Sequence, residues 1–319
     1  MTGVQTCALP IYTGSWDFDT LANEFELDDL LDWGFDKQEL DLDLWAGDAP
    51  EDVEPQIDKA EELREKWQVQ TGQLWQLGAH RLICGDCTDK AVVERVMGGE
   101  KADITFTSPP YNISDNAKLS PHQSNGSKYV DYSDSMTDDE YLSLLYTFTR
   151  NTLEHCEYSF VNVQSLAGNK LVLIDLLNSL KDVYADTLIW DKMNAQPAMA
   201  ENVLNSQFEY IHVFSNRATR SIGTQPFRGT ISNVVQIHKK ASEVKEHNAT
   251  FSVELAEFFV GKFSTTIVID PFLGSGTTLV ACERLGRKCR AVEISPAYVA
   301  VAIQRWVDVT GGEPVLLDT

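Results

Sequence analysis

From Trp67 onward, short runs rich in Val, Ile and Phe alternate with longer runs whose apolar residues recur at helical spacing. This alternation constrains the fold more than any other feature, because repeated strand–helix units close into a mainly parallel sheet covered by helices. Strand-like runs fall at residues 81–84, 104–107, 159–163, 187–190, 210–214, 266–269 and 289–292. Helix-like runs fall at 138–152, 168–180, 253–260, 277–285 and 296–307. Ser295 is placed to cap the last of these, and Pro296 suits its first turn. Two polar stretches fit neither period: 112–136, and 215–248 with its Arg217, Arg220, Arg228, Lys239 and Lys240. The fold class read from this pattern is α/β.

The region before Trp67 has a different character. Of the 48 acidic residues in the chain, 19 lie in residues 1–66, against only 4 of the 26 Lys and Arg. The net charge of −22 is therefore concentrated at one end, and the remaining 253 residues are only mildly acidic. Residues 1–11 share no pattern with the rest of the chain and read as a non-native N-terminal scar. Residues 12–66 read as an acidic appendage and linker, residues 67–319 as the α/β domain, and 215–246 as a small recognition segment within it. The appendage alternates acids with Trp16, Phe18, Leu21, Phe25, Leu30, Leu31, Trp33 and Phe35, and a helix-like run comes after it at 56–66.

No apolar run approaches the ~18 residues that a membrane span needs, so no membrane partner is expected and the reading is a soluble, cytoplasmic protein. Six cysteines without a regular framework do not describe a disulfide-built domain. Cys84-Gly85-Asp86-Cys87 has metal-like CxxC spacing, but no second pair supplies the remaining ligands, so no metal is assigned.

Two strand ends carry the chemistry. The run at 102–106 opens into Thr107-Ser108-Pro109-Pro110-Tyr111-Asn112. The run at 265–269 opens into Asp270-Pro271-Phe272-Leu273-Gly274-Ser275-Gly276-Thr277-Thr278. Glycines in a strand-to-helix turn let backbone approach a ligand where a Cβ would clash. Glu293 closes the following strand-like run 23 residues after Asp270, and in doubly wound folds an acid at about 20 residues binds ribose hydroxyls. Open α/β sheets bind ligands at the C-terminal ends of their strands, where both motifs sit.

Together these residues resemble the amino-methylating DNA methyltransferases that act on adenine N6 or cytosine N4. Their catalytic signature is (Asp/Asn/Ser)-Pro-Pro-(Tyr/Phe/Trp), matched by Ser108-Pro109-Pro110-Tyr111, and their cofactor loop is matched by 270–278. The catalytic signature precedes the cofactor loop, as in the circularly permuted β class. The resemblance covers about residues 68–310 and implies a Rossmann-like methyltransferase domain with a mostly parallel, permuted, seven-stranded sheet. It implies S-adenosylmethionine as cofactor, held by Asp86, Asp270, Phe272, Gly274, Gly276, Thr277 and Glu293, with Phe272 against the adenine and Glu293 on the ribose. The segment from His247 to Leu255 resembles the family's cofactor segment, but Asn248 and Ser252 stand where prolines are usual. The run from Leu30 to Asp36 resembles the tail of a ParB-like domain.

The expected partner is DNA, and the implied setting is that of a restriction-modification methylase, monomeric or homodimeric. An exocyclic amine is a poor nucleophile because its lone pair is delocalised into the ring. Acceptors against its two hydrogens, here Ser108 Oγ and the Pro109 carbonyl, would free that lone pair. Pro110 stiffens the segment, and Tyr111 offers a ring on which an extruded base can stack. No Pro-Cys pair exists, so a cysteine nucleophile for cytosine-C5 methylation has no candidate. At this point the base remains adenine or cytosine. RNA or protein amides as substrates, and a non-catalytic DNA-binding remnant, remain the alternatives.

Overall fold

Each apolar run bounded by turn residues becomes a strand, and each helical repeat a helix laid on the resulting sheet. The computed structural model describes residues 53–112, 136–196, 202–217, 219–223, 231–237 and 251–318. The acidic and aromatic run at 12–48, with its ParB-like heptapeptide, lies outside them, as do residues 1–11 and His247. The body of the chain is the unit formed by Asp52–Pro226 and Asn233–Thr319.

Its strands are β1 (Leu74–Leu77), β2 (His80–Cys84), β3 (Ala102–Thr107), β4 (Cys156–Val163) and β5 (Tyr184–Gln196). They continue as β6 (Ser206–Ser215), β7 (Val234–Gln236), β8 (Ile267–Asp270), β9 (Lys288–Glu293) and β10 (Val315–Asp318). The helices are α1 (Ala60–Trp67), α2 (Lys90–Met97), α3 (Asp138–Leu153), α4 (Lys170–Ser179), α5 (Val253–Phe263), α6 (Thr277–Arg284) and α7 (Pro296–Thr310). All strands belong to one sheet in the order β10-β1-β2-β9-β8-β3-β4-β6-β5-β7.

The expected seven strands are all present and contiguous, from β2 to β5, but the described sheet has ten. The three additions, β7 at one end of the sheet and β1 and β10 at the other, have three or four residues each. Edge strands bury little and so leave a weak apolar pattern; all four residues of β10 are exposed. The five strands β2-β9-β8-β3-β4 run parallel. Then β6 turns antiparallel between β4 and β5. That reversal brings the start of β6 to the same edge as the C-terminal ends of the parallel strands.

Helices cover the sheet in the manner of a three-layer α/β domain. Phe106 of β3 stacks on Phe259 of α5 with centroids 4.8 Å apart, and Phe160 of β4 packs on Phe259 and Phe263. Val161, Val163 and Ile269 pack instead with Tyr141, Leu145 and Phe148 of α3 and Val172 and Leu176 of α4. Helix α3 begins with a capping box in which Thr137 and Glu140 satisfy each other's backbone N–H groups. Helix α7 is capped by Ser295, whose side chain accepts from Tyr298 N, with Pro296 in its first turn.

Two boundaries differ from the sequence reading. Helix α2 lies in a stretch given no element, although Asp89 caps it and Gly98 ends it in the left-handed region; at eight residues it is too short for a clear period. Helix α1 belongs to the α/β body and not to an appendage ending at residue 66. Lys66 Nζ donates to Gln304 Oε1 (2.6 Å), Gln56 Nε2 to Asp308 Oδ2 (2.9 Å) and Arg305 Nε to the Val53 carbonyl (3.0 Å). Acidic composition marked this stretch as separate, yet its few apolar residues, Ile57, Ala60 and Leu63, are buried.

Candidate active site

Both motif loops leave the same edge of the sheet from adjacent strands. Strand β8 delivers Asp270, β3 on one side delivers Ser108, and β9 on the other delivers Glu293. The two loops are joined directly, because Thr107 Oγ1 donates to Asp270 Oδ1 at 2.6 Å. The same oxygen accepts from Phe272 N at 3.0 Å, which folds the turn back over the strand end. Burial pushes the Asp270 carboxyl above its usual range, against the opposing hydrogen bonds. Asp270 therefore braces the two loops.

The glycine loop divides into residues that open a space and residues that pack. Gly274 has φ +55°, and an added Cβ would meet nothing within 4 Å. Gly276 has φ +93°, and a Cβ there would lie 3.3 Å from Ala302 Cβ on α7, so this glycine allows α6 and α7 to approach. Thr277 faces the same helix, with Arg305 Nη1 donating to its hydroxyl (3.3 Å) and to the Ser275 carbonyl (3.2 Å). Phe272 is half-buried against Phe148, edge to face, with centroids 4.9 Å apart.

Glu293 supports the loop from the neighbouring strand. Gly274 N donates to its Oε2 (2.9 Å) and Ser295 N to its Oε1 (2.8 Å). Burial raises its pKa to about 7, while those backbone donors act in the opposite direction. A carboxyl in this state responds to one further donor or one proton. Beyond β9, Gly85 N donates to the Glu293 carbonyl (2.9 Å), which puts Asp86 next along the edge. Asp86 is exposed, and its Oδ1 accepts from the backbone and hydroxyl of Thr88. The flanking Cys84 and Cys87 are buried free thiols, and burial pushes Cys84 up to about 12. Among the described residues no group of three His, Cys, Asp or Glu is placed to hold a metal ion.

On the other side of β8, the Ser-Pro-Pro-Tyr backbone is tied down at two successive carbonyls. Tyr141 Oη donates to the Pro110 carbonyl (2.8 Å) and Asn169 Nδ2 to the Tyr111 carbonyl (2.7 Å). Asn112 closes the motif at φ +51°, in the left-handed region that Asn tolerates. Its amide exchanges two hydrogen bonds with the Met136 backbone.

The side chains of the motif join a buried polar network that no sequence signal announced. Tyr111 Oη donates to Glu209 Oε2 at 2.6 Å and lies 3.0 Å from Ser108 Oγ. Asn162 Nδ2 donates to Tyr111 Oη (2.9 Å) and to Glu209 Oε2 (2.8 Å). Lys192 Nζ donates to Glu209 Oε1 (3.3 Å), and both side chains are almost fully buried, 1% and 3% exposed. Burial, then the Glu209 charge, push the Tyr111 hydroxyl well above its usual range. Strand order assembles this group: β4 supplies Asn162, β6 supplies Glu209 at the reversed edge, and β5 supplies Lys192. A Lys and a Glu 17 positions apart, just outside the strand-like runs at 187–190 and 210–214, look like surface charges until the strands are paired.

Of the basic residues in the stretch read as a recognition segment, Arg217 pairs with Glu157 and Arg220 with Asp186 at 3.0 Å, both arginines being exposed. Arg228, Lys239 and Lys240 lie outside the described residues. Before α5, Ser252 keeps a buried hydroxyl with no hydrogen-bond partner among the described residues.

Comparisons with known proteins match DNA methyltransferases. Type II methyltransferase M.SmaI of Serratia marcescens is 29% identical over 129 residues, covering 37% of this chain and 44% of that protein. M.Cfr9I of Citrobacter freundii is 26% identical over 143 residues, covering 37% and 42%. The chain thus spans less than half the length of these relatives. The solved PvuII DNA methyltransferase (cytosine-N4-specific) covers 74% of this chain and 89% of its own, with TM-score 0.54 and 19% identity, which shows a shared fold. The family model of N6/N4 type described as DNA methylase matches residues 102–304, from the start of β3 into α7 and across both motif loops. By that match, over more than half of its length, the chain belongs to the N6/N4 DNA methylase family.

Proposed function

We propose that this protein transfers a methyl group from S-adenosylmethionine to the exocyclic amine of an extruded DNA base, adenine N6 or cytosine N4. The observation that carries the reading is the Thr107–Asp270 bond, 2.6 Å long, which holds an amine-accepting motif beside a glycine-opened loop. Family membership and the type II methyltransferases among the relatives support DNA as substrate.

The loop residues suit the cofactor on structural grounds. The open space over Gly274 is a cradle that a Cβ would narrow, and Glu293 is a buried acceptor at the adjoining strand end. Gly274, Phe272, Glu293 and Asp86 would hold the cofactor, with Asp270, Gly276 and Thr277 fixing the shape of the turn. When bound, S-adenosylmethionine supplies an electrophilic methyl on sulfonium, already joined to a good leaving group. The chain contributes position and electrostatics. Ser108 Oγ and the Pro109 carbonyl accept the two amine hydrogens and draw the nitrogen lone pair out of ring conjugation. Tyr111 is held by its hydroxyl, so its ring has a fixed place for stacking. The carbonyls of Pro110 and Tyr111, already engaged, keep Pro109 from swinging away.

The test is transfer of labelled methyl to unmethylated genomic DNA, RNA and protein fractions, followed by nucleoside mass spectrometry. A methylated adenine or cytosine amine in the DNA fraction is the expected product and identifies the base. Product only in RNA or protein, or none despite cofactor binding, would overturn the reading.

A further inference from the structure

A base amine that gains a methyl group must also lose a proton, and the motif of this chain holds a serine, not a carboxylate, at the position facing that amine. We propose that Glu209 is the terminal acceptor of that proton, reached through Ser108 and Tyr111. The proposal rests on the DNA amino-methyltransferase reading above.

The geometry is a continuous hydroxyl chain. Ser108 Oγ lies 3.0 Å from Tyr111 Oη, and Tyr111 Oη lies 2.6 Å from Glu209 Oε2. Proton accounting fixes the directions. Tyr111 has one hydroxyl proton, and the 2.6 Å contact to a carboxylate takes it. Asn162 Nδ2 donates into both Tyr111 Oη and Glu209 Oε2, so it supports this polarity. Ser108 then donates to Tyr111 Oη, its other acceptor being the Asn162 carbonyl at 3.3 Å. Asn162 Nδ2 also approaches Ser108 Oγ, at 3.5 Å, but its two hydrogens serve the shorter bonds to Tyr111 and Glu209, which leaves Ser108 lone pairs for the amine.

The step balances without any added reactant. The nitrogen lone pair forms the N–C bond while the C–S bond breaks with its electrons on sulfur. One N–H bond then breaks, leaving its pair on nitrogen, and the proton passes to Ser108 Oγ. The Ser108 proton passes to Tyr111 Oη, and the Tyr111 proton to Glu209 Oε2. Lys192 on Glu209 Oε1, nine-tenths or more buried like its partner, supplies the counter-charge that keeps a carboxylate in so dry a place. A purely structural brace for Tyr111 would need an acceptor there, not a charged pair at this cost in desolvation.

Two variants separate a relay from a brace. Glu209→Gln keeps the size and one acceptor oxygen, which serves Tyr111 while its amide turns toward Lys192, but it cannot take the proton in this way. Tyr111→Phe keeps the ring and the Glu209–Lys192 pair but removes the middle of the chain. Single-turnover methyl transfer on unmethylated DNA would be measured in H2O and D2O. Cofactor and DNA dissociation constants and thermal midpoints would be measured on the same full-length proteins. The expected result is a slowing of ten-fold or more in both variants, with a larger solvent isotope effect in Glu209→Gln and dissociation constants within two-fold of the parent. Either variant turning over within two-fold of the parent, with an unchanged isotope effect, would overturn the relay. If Glu209→Gln does not fold, Tyr111→Phe decides alone. A parent protein inactive on DNA would instead remove the functional reading beneath it.

Discussion

The two halves of the site are built by different means. On the β8–β9 side, one strand, one loop and the start of one helix hold most of the machinery within nine consecutive residues, Asp270 to Thr278, with Glu293 on the next strand. On the β3–β4 side, Ser108 and Tyr111 depend on Asn162, Glu209 and Lys192, which come from three further strands. A ligand cradle made of backbone conformation needs only local sequence, whereas a buried charge network needs partners that cross the sheet. The first kind of site fails by misshaping a turn, and the second by stranding a charge.

The comparison breaks most sharply at the ion pair. Glu209→Ala leaves Lys192 buried without its counter-ion, and removing one member of such a pair costs about 3–5 kcal/mol. Denaturant titration should show that loss, and a change near zero would mean the pair is not buried in solution. Gly276→Ala comes next, because it imposes both φ +93° and a 3.3 Å approach to Ala302. It should cost roughly 1–3 kcal/mol through overpacking and strain. The matched change Gly274→Ala has open space around it and should cost ~1 kcal/mol, acting mainly on cofactor affinity. Equal stability losses for the two glycines, read from thermal midpoints, would erase the distinction between packing and cradle.

The bond between the halves should be worth less than the Gly276 packing. Thr107→Val keeps the shape and removes the donor to Asp270, for about 1–2 kcal/mol. The smallest effect is the most diagnostic of the cradle. Glu293 has its folded pKa raised to about 7, so between its unfolded value and 7 the folded state binds the extra proton. Its contribution to stability therefore falls as pH rises through that window and is level above it. Ionisation makes Glu293 the better acceptor for ribose hydroxyls, so cofactor affinity should rise a few-fold from pH 6 to pH 8. Calorimetry on Glu293→Gln should give a flat profile; a profile unchanged from the parent would assign the titration to another group.

Sequence alone determined the elements that depend on local order. All seven expected strands and five expected helices of the body are present, and the last helix carries its own signals in Ser295 and Pro296. The two motif loops were legible for the same reason: glycines and prolines declare backbone conformation at their own positions. The edge strands β7 and β10 bury too little to leave a pattern, β1 and α2 bury apolar residues but over only four and eight positions, and the acidity around α1 concealed its buried side. Only the tertiary structure decided the rest. It set Thr107 on Asp270, turned Gly276 and Thr277 toward α7, and brought Lys192 and Glu209 to Tyr111. The antiparallel insertion of β6 carries that last decision: strand order is fixed by burial summed over the whole sheet, and no stretch of sequence records it alone.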